Sequence, residues 1–167
     1  MKILILAATL AIQTATLSPA SPAPTLAPLR FLAGDWQAVA TPAGEEGGFS
    51  FRFTVQDRVM IRDNYATYAA TPDRAASRHE DLMVVFVEGA AIKADYVDNE
   101  AHVIHYAVQV RGDRDVVFVS ASKASEPGYR LSYSQDGDGL LKGRFEIAAP
   151  GTDAFTPYLT WSARRRR

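Results

Sequence analysis

The sequence predicts an all-β protein: an up-and-down antiparallel barrel of about ten strands with a short N-terminal helix. Short segments with strand-like alternation or composition follow one another, and turn residues separate them at close spacing. Short connections suit neighbouring antiparallel strands, and closing such a sheet into a barrel removes its exposed edges. A β-sandwich is the competing fold, because the connection at residues 70–80 is long enough for a Greek-key crossing.

The helix is expected at residues 28–33, and the clearest strand at residues 48–56, where Phe49, Phe51 and Phe53 alternate with polar residues. The remaining strands are expected at residues 35–41, 58–69, 81–87, 92–97, 102–110, 115–122, 129–134, 141–148 and 155–163. The strand at 115–122 is apolar on both faces over part of its length. This pattern indicates a wall that another element or a second subunit covers from outside.

Residues 1–23 are interpreted as a cleaved signal peptide. Lys2 supplies the positive charge, residues 3–12 form an apolar run, and small residues suited to a signal peptidase follow at 18–23. Stable membrane insertion is not expected, because a spanning helix needs roughly 20 apolar residues. The mature chain is therefore expected in the periplasm or outside the cell, with a barrel domain at residues 28–163 and a basic tail at residues 164–167.

Composition excludes several classes of function. The chain has no cysteine, so it forms no disulfide, no thiolate metal site and no cysteine nucleophile. Of its 18 basic residues, Lys2 lies in the signal segment and four are the terminal arginines, which leaves 13 against 19 acidic residues in the body. Such a body repels nucleic acid, and the short tail is interpreted as solubilising. No metal-binding, phosphate-cradling or nucleophile-elbow spacing occurs in the sequence.

One segment carries a family resemblance. Residues 29–36, a short helix running into Gly34-x-Trp36 on the first strand, resemble the start of lipocalin-like (calycin) barrels of the nitrobindin and fatty-acid-binding type. Residues 79–85 and 96–105 resemble uncharacterised secreted bacterial proteins of the same kind. The resemblance implies a cavity for a small hydrophobic ligand. Nitrobindins carry a haem-ligating histidine near the last strand, and residues 154–164 contain none, so neither haem nor another cofactor is expected.

The meander gathers one group of titratable residues at one end of the barrel, because successive connections alternate between the two ends. If the strands at 81–87 and 92–97 pair across a two-residue turn, Asp81 lies opposite Asp98. These carboxylates repel each other unless His79, His102 or a cation lies between them. One interpretation is an acid–base site of His79, Asp98 and His102. The other is that these side chains cap turns and are solvated.

Candidate ligand-binding residues come from the strands themselves. Arg62 and Arg130 each interrupt a strand-like run, and an inward arginine needs a carboxylate partner from the protein or from a ligand. His102 and His105 are three residues apart, so one of them is expected to point into the barrel. Tyrosines offer hydroxyl groups to a ligand with a polar head. The full candidate set is Arg62, Tyr96, His102, His105, Tyr106, Arg130 and Tyr133, with no metal ligand.

These observations predict a secreted or periplasmic barrel that binds a small hydrophobic molecule without catalysis. An enzyme that uses the His79, Asp98 and His102 rim for acid–base chemistry is the first alternative. A homodimeric interaction module, with the doubly apolar strands at the interface, is the second.

Overall fold

The fold is a closed barrel of ten antiparallel strands preceded by one short 3₁₀ helix. A computed structural model describes residues 24–121 and 123–166, so the expected signal peptide lies outside the described residues. The 3₁₀ helix spans Ala27–Leu32. The strands are β1 (Gly34–Val39), β2 (Glu45–Thr54), β3 (Val59–Tyr68), β4 (Ser77–Glu88), β5 (Ala91–Asp98), β6 (Val103–Gly112), β7 (Asp115–Ser120), β8 (Gly128–Gln135), β9 (Leu141–Ala148) and β10 (Phe155–Arg165).

Every strand pairs with its neighbours in sequence, and β1 pairs with β10 to close the barrel. This topology confirms the predicted up-and-down barrel and excludes the sandwich. All ten predicted strands are present, and the largest difference is at β4, which begins at Ser77 rather than at 81. The inward positions at this end of β4 are His79 and Asp81, so the apolar alternation that marks a strand begins only further along.

The barrel has two unlike ends. The connections 40–44, 69–76, 99–102, 123–127 and 149–154 lie at the open end, and the turns 55–58, 89–90, 113–114 and 136–140 lie at the closed end. The 3₁₀ helix covers the closed end, where Arg30 forms an ion pair with Asp57 at 2.5 Å. Leu29 and Leu32 of this helix are fully buried, and each contributes about 1.5–3 kcal/mol of hydrophobic stabilisation. The closed end therefore consists of packed apolar core.

An aromatic cluster fills the middle of the barrel. Tyr133 is fully buried, and its ring lies 5.4–6.4 Å from the rings of Phe49, Phe51, Phe118 and Trp161. Most of these pairs are edge-to-face, the arrangement that aromatic quadrupoles prefer. This cluster separates the packed closed end from the open end.

The C-terminal arginines differ from the expected free tail. Arg164 and Arg165 belong to β10 and pair with β1. The Arg165 guanidinium donates to the carbonyl oxygens of Phe31, at 3.1 Å, and of Ala33, and lies 4.8 Å from the centre of the Trp36 ring. These arginines thus close the seam of the barrel and hold the 3₁₀ helix. Arg164 and Arg165 are therefore part of the barrel, because β1 is long enough to pair with them. Arg167 lies outside the described residues.

Gly143 on β9 gives a test of the packing in the barrel. A Cβ atom at this position would lie 2.1 Å from Trp161, whose ring covers the glycine. We expect Gly143→Ala to displace Trp161 and to lower the free energy of unfolding by about 1–3 kcal/mol, measured by urea denaturation with tryptophan fluorescence. Gly137→Ala is the matched control, because no atom lies within 4 Å of its added methyl group. Equal stability of the two variants would contradict this packing.

Candidate functional site

The open half of the barrel contains a cavity that continues onto the outer face of β8, β9 and β10, where Ser132 and Arg144 line it, and the whole measures about 1130 Å³. One wall is polar and comes from β3, β4, β5 and the loop after β5. The opposite wall is largely aromatic and comes from β8, β9 and β10. The polar residues are Arg62, Asn64, His79, Asp81, Tyr96, Asp98 and His102, and the apolar residues include Tyr129, Leu131, Phe145, Tyr158 and Trp161. An apolar pocket with a few convergent polar groups is the usual form of a small-molecule site.

A buried ion pair forms the deepest part of the polar wall. The Arg62 Nη1 atom donates to Asp81 Oδ1, and the two side chains are only 5% and 3% exposed. Asn64 Nδ2 donates to the other carboxylate oxygen of Asp81 at 2.7 Å. The β3–β4 register explains this arrangement, because Asn64 lies directly opposite Asp81 and Arg62 is two residues further along the same face. Burial alone would lower the pKa of Arg62, but Asp81 raises it above its usual value.

Two polar atoms beneath the cavity have no hydrogen-bond partner in the described structure: Arg62 Nε and the Tyr133 hydroxyl oxygen. The Arg62 guanidinium carbon lies 5.8 Å from the centre of the Phe49 ring and 6.0 Å from that of Tyr133. Burial raises the pKa of Tyr133 to about 12, so its hydroxyl stays neutral at physiological pH. Each unpaired buried group costs about 1–3 kcal/mol.

His79 links the wall to the loop at the open end. Its Nε2 lies 3.3 Å from Asp81 Oδ2, and its Nδ1 lies 3.2 Å from Glu100 Oε1. The hydrogen bond to Asp81 raises the pKa of His79 to about 9, with a further contribution from Glu100 and some opposition from burial. The imidazole is therefore protonated at neutral pH and donates to both carboxylates.

Tyr96 and Asp98 extend the network towards solvent. The Tyr96 hydroxyl lies 3.3 Å from His79 Nε2 and donates to Asp98 Oδ2 at 3.1 Å. Asp98 also accepts from His102 Nδ1 at 2.8 Å and from the backbone N–H groups of Glu100 and His102 at 2.9 Å. Burial opposes ionisation of Asp98, but these hydrogen bonds outweigh it and lower its pKa. Burial and the two aspartates hold the pKa of Tyr96 far above its usual value.

The structure pairs Asp81 directly with Asp98, as the turn length predicted. Each of the two carboxylates has partners that offset its negative charge. Arg62 and His79 neutralise Asp81, and His102 and two backbone amides stabilise Asp98. Their repulsion is thus relieved mainly by hydrogen-bond donors that reach each carboxylate separately.

The structure brings some candidate residues together and separates others. Arg62, Tyr96, His102 and Tyr106 line the cavity, and Tyr133 lies directly beneath it. His105 and Arg130 face outward. His105 pairs across strands with Asp95 on the outer wall, and Arg130 makes two hydrogen bonds to Glu146, at 2.6 and 2.8 Å.

The expectation that one of His102 and His105 points into the barrel falls on His102, which lines the cavity, whereas His105 faces outward. His102 precedes β6 and lies at the rim, with its side chain 54% exposed, and the inward residues of β6 are Ile104 and Tyr106. Arg130 needs no partner from the cavity. Glu146, directly opposite on β9, accepts its hydrogen bonds on the outer face.

Several cavity residues were missed by the candidate set. Asn64 shares the inward face of β3 with Met60 and Arg62, so its spacing from Arg62 would have identified it. Phe145 and Trp161 lie inward on β9 and β10, and their signal was the alternation of these strands. The candidate set contains only residues with polar groups, so Phe145 and Trp161 are absent from it.

Comparison with models of known protein families finds no match, and a search of curated proteins finds no significant match. The closed ten-stranded barrel is consistent with a calycin-like architecture. Within residues 24–121 and 123–166, no helix is long and apolar enough to cross a membrane. In the same residues, no group of three or more acidic or histidine side chains is arranged to hold a metal ion.

The Arg62–Asp81 pair is expected to be sensitive to the loss of one partner. Arg62→Met leaves the buried Asp81 carboxylate without its main cation, and we expect the free energy of unfolding to fall by about 3–5 kcal/mol in urea denaturation. The double variant Arg62→Met, Asp81→Leu removes both charges and should recover much of this loss. A double variant as unstable as the single one would show that packing rather than charge is responsible.

His79 makes the stability of the barrel depend on pH. Because its pKa is raised in the folded state, its contribution is complete below about pH 6.5 and disappears as the pH rises through about 9. We expect the wild type to lose about 1–3 kcal/mol more than His79→Gln between these values, measured by urea denaturation across pH. His105→Gln is the control, since that histidine is 78% exposed and lies outside the network. Parallel pH profiles of His79→Gln and the wild type would contradict this role.

Proposed function

We propose that this protein is a secreted or periplasmic barrel that binds a small, largely hydrophobic molecule in its cavity and does not catalyse a reaction. The observation that carries the proposal is the cavity of about 1130 Å³ with an aromatic wall opposite a polar wall. Its volume is about that of the larger small-molecule sites, roughly 300–1,000 Å³. The apolar leader at residues 1–23 supports export.

The aromatic wall supports binding of an apolar body. The rings of Tyr129 and Phe145 stack at 5.9 Å, and Tyr158 meets the edge of Phe145 at 6.3 Å. Tyr158 is 67% exposed at a β-bulge in β10, so a large apolar surface lies at the cavity entrance. Covering such surface with a ligand yields about 25 cal/mol per Å² of area removed from water.

The acid–base alternative has one observation in its favour: a hydrogen-bonded chain from His79 through Tyr96 and Asp98 to His102. Two features favour a structural role for this chain. His79 donates to two carboxylates and is charged at neutral pH, so it is not a free base. Tyr96 resists deprotonation because burial, together with the nearby Asp81 and Asp98, raises its pKa. The chain therefore holds the polar wall in place.

The homodimer alternative loses part of its basis. Val117 faces outward on β7, opposite the inward Val116 and Phe118, yet it is only 2% exposed in the single chain. The chain itself therefore covers this doubly apolar strand, and no second subunit is needed to bury Val117.

A pair of substitutions on adjacent residues tests the proposal. Ile104 points into the cavity, whereas Val103 points outward and is 61% exposed. The uncharged fluorophore N-phenyl-1-naphthylamine should bind the wild type and Val103→Trp alike. We expect Ile104→Trp to bind it at least about tenfold more weakly, because the larger indole occupies space in the part of the cavity beside Ile104. Circular dichroism checks that both variants fold.

Equal binding by Ile104→Trp and Val103→Trp would contradict binding in the cavity. A second measurement is independent of the probe. Protein purified from its natural host is denatured, and the released small molecules are identified by mass spectrometry after a visible spectrum is recorded. A copurified apolar molecule supports the proposal, whereas a haem absorption band would contradict the expectation of no cofactor.

A further inference from the structure

The positive charge of Arg62 is already compensated inside the protein. Its guanidinium donates to Asp81, and both side chains are almost completely buried. Asp81 in turn accepts from Asn64 and His79. An arginine in a barrel interior attracts a ligand carboxylate only when its charge is unpaired, because burying a further anion beside a neutral pair gains no net attraction.

The surroundings of this pair are slightly negative. Arg62 and protonated His79 contribute two positive charges, and Asp81, Asp98 and Glu100 contribute three negative ones. The three inward tyrosines of this region, Tyr96, Tyr106 and Tyr133, all have raised pKa values, mainly because burial disfavours their anionic forms. Asp81 adds to this effect at all three tyrosines, whereas the Arg62 charge opposes it. A negatively charged ligand head would meet the same desolvation and repulsion.

The polar groups left without partners can both donate hydrogen bonds. Arg62 Nε carries an N–H, and the Tyr133 hydroxyl carries an O–H, and neither makes a well-aligned hydrogen bond within the described residues, although Arg62 lies close enough to the Tyr133 hydroxyl to oppose the rise of its pKa. A neutral oxygen satisfies such donors without bringing a second anion beside Asp81. An ammonium group has no acceptor to offer them.

We propose that the cavity selects amphipathic ligands whose polar end is an uncharged oxygen group, such as an alcohol, and discriminates against carboxylates of the same chain length. The polar end lies towards Arg62, which lines the cavity above the buried Tyr133, and the apolar body lies along Phe145 and Trp161. This inference depends on the proposed function, because it specifies which ligands the same cavity takes.

Three probes of equal chain length test the inference: 1-dodecanol, dodecanoate and dodecylammonium. Each displaces N-phenyl-1-naphthylamine from the mature full-length protein at pH 7.4. We expect dodecanol to bind at least about tenfold more tightly than either ion, a difference of about 1.4 kcal/mol. Equal or tighter binding of dodecanoate or of dodecylammonium would overturn the inference. If neither the fluorophore nor any of the three probes binds, the proposed function itself fails.

Asp81→Asn tests the cause of the selectivity. It removes the negative charge that compensates Arg62 and keeps a side chain of nearly the same shape, so dodecanoate should gain at least about tenfold relative to dodecanol. Asp63→Asn is the matched control, because Asp63 pairs with Arg52 at 2.5 Å on the outer face of the neighbouring strand. An unchanged ratio in folded Asp81→Asn would overturn the explanation. If that variant does not fold, the ranking of the three probes on the wild type decides.

Discussion

The buried Arg62–Asp81 pair is the interaction on which the open half of the barrel depends. It places two charges where the strands could have carried apolar residues, and such a pair contributes little net stability compared with well-packed hydrophobic side chains. The main effect of the pair is to fix the positions of the polar side chains around it. Asp81 accepts from Arg62, Asn64 and His79, so one carboxylate connects β3 and β4, and His79 extends the connection to the loop after β5. The polar wall is therefore held by directional bonds, while the facing aromatic wall is held by packing alone.

The two ends of the barrel differ in how much they contribute to stability. At the closed end the 3₁₀ helix buries Leu29 and Leu32, Arg165 holds that helix by its carbonyl groups, and the β1–β10 pairing leaves no free sheet edge. At the open end the chain tolerates buried charges, two unsatisfied donors and exposed aromatic surface. Such features lower stability, and they persist only where the remainder of the fold is stable enough to support them.

The sequence predicted the ten strands and one part of the site. Whether the pairing of two residues on neighbouring strands could be predicted depended on the length of the turn between those strands. The two-residue turn at 89–90 fixes the β4–β5 register, so the pairing of Asp81 with Asp98 was predictable. The connection at 69–76 is too long to fix a register, so the partnership of Arg62 with Asp81 was not. Arg130 shows a second limit. A charged residue in a strand indicates only that it needs a partner. Whether that partner lies outside, as Glu146 does, depends on the face that the strand presents.

The β3–β4 register also explains why Arg62 does not form a general binding site for anions. Asn64 and Asp81 are directly opposite, and Arg62 is two residues deeper, so its side chain reaches back to Asp81 from below. The guanidinium then covers the aromatic cluster at Phe49 and Tyr133 instead of pointing freely into the cavity. A ligand that enters from the open end would meet first His79 and Asp98, whose charges are paired, together with the neutral Tyr96, and then the Arg62–Asp81 ion pair. The proposed selectivity for an uncharged oxygen group therefore rests on the geometry of the wall more than on the identity of any single charged residue.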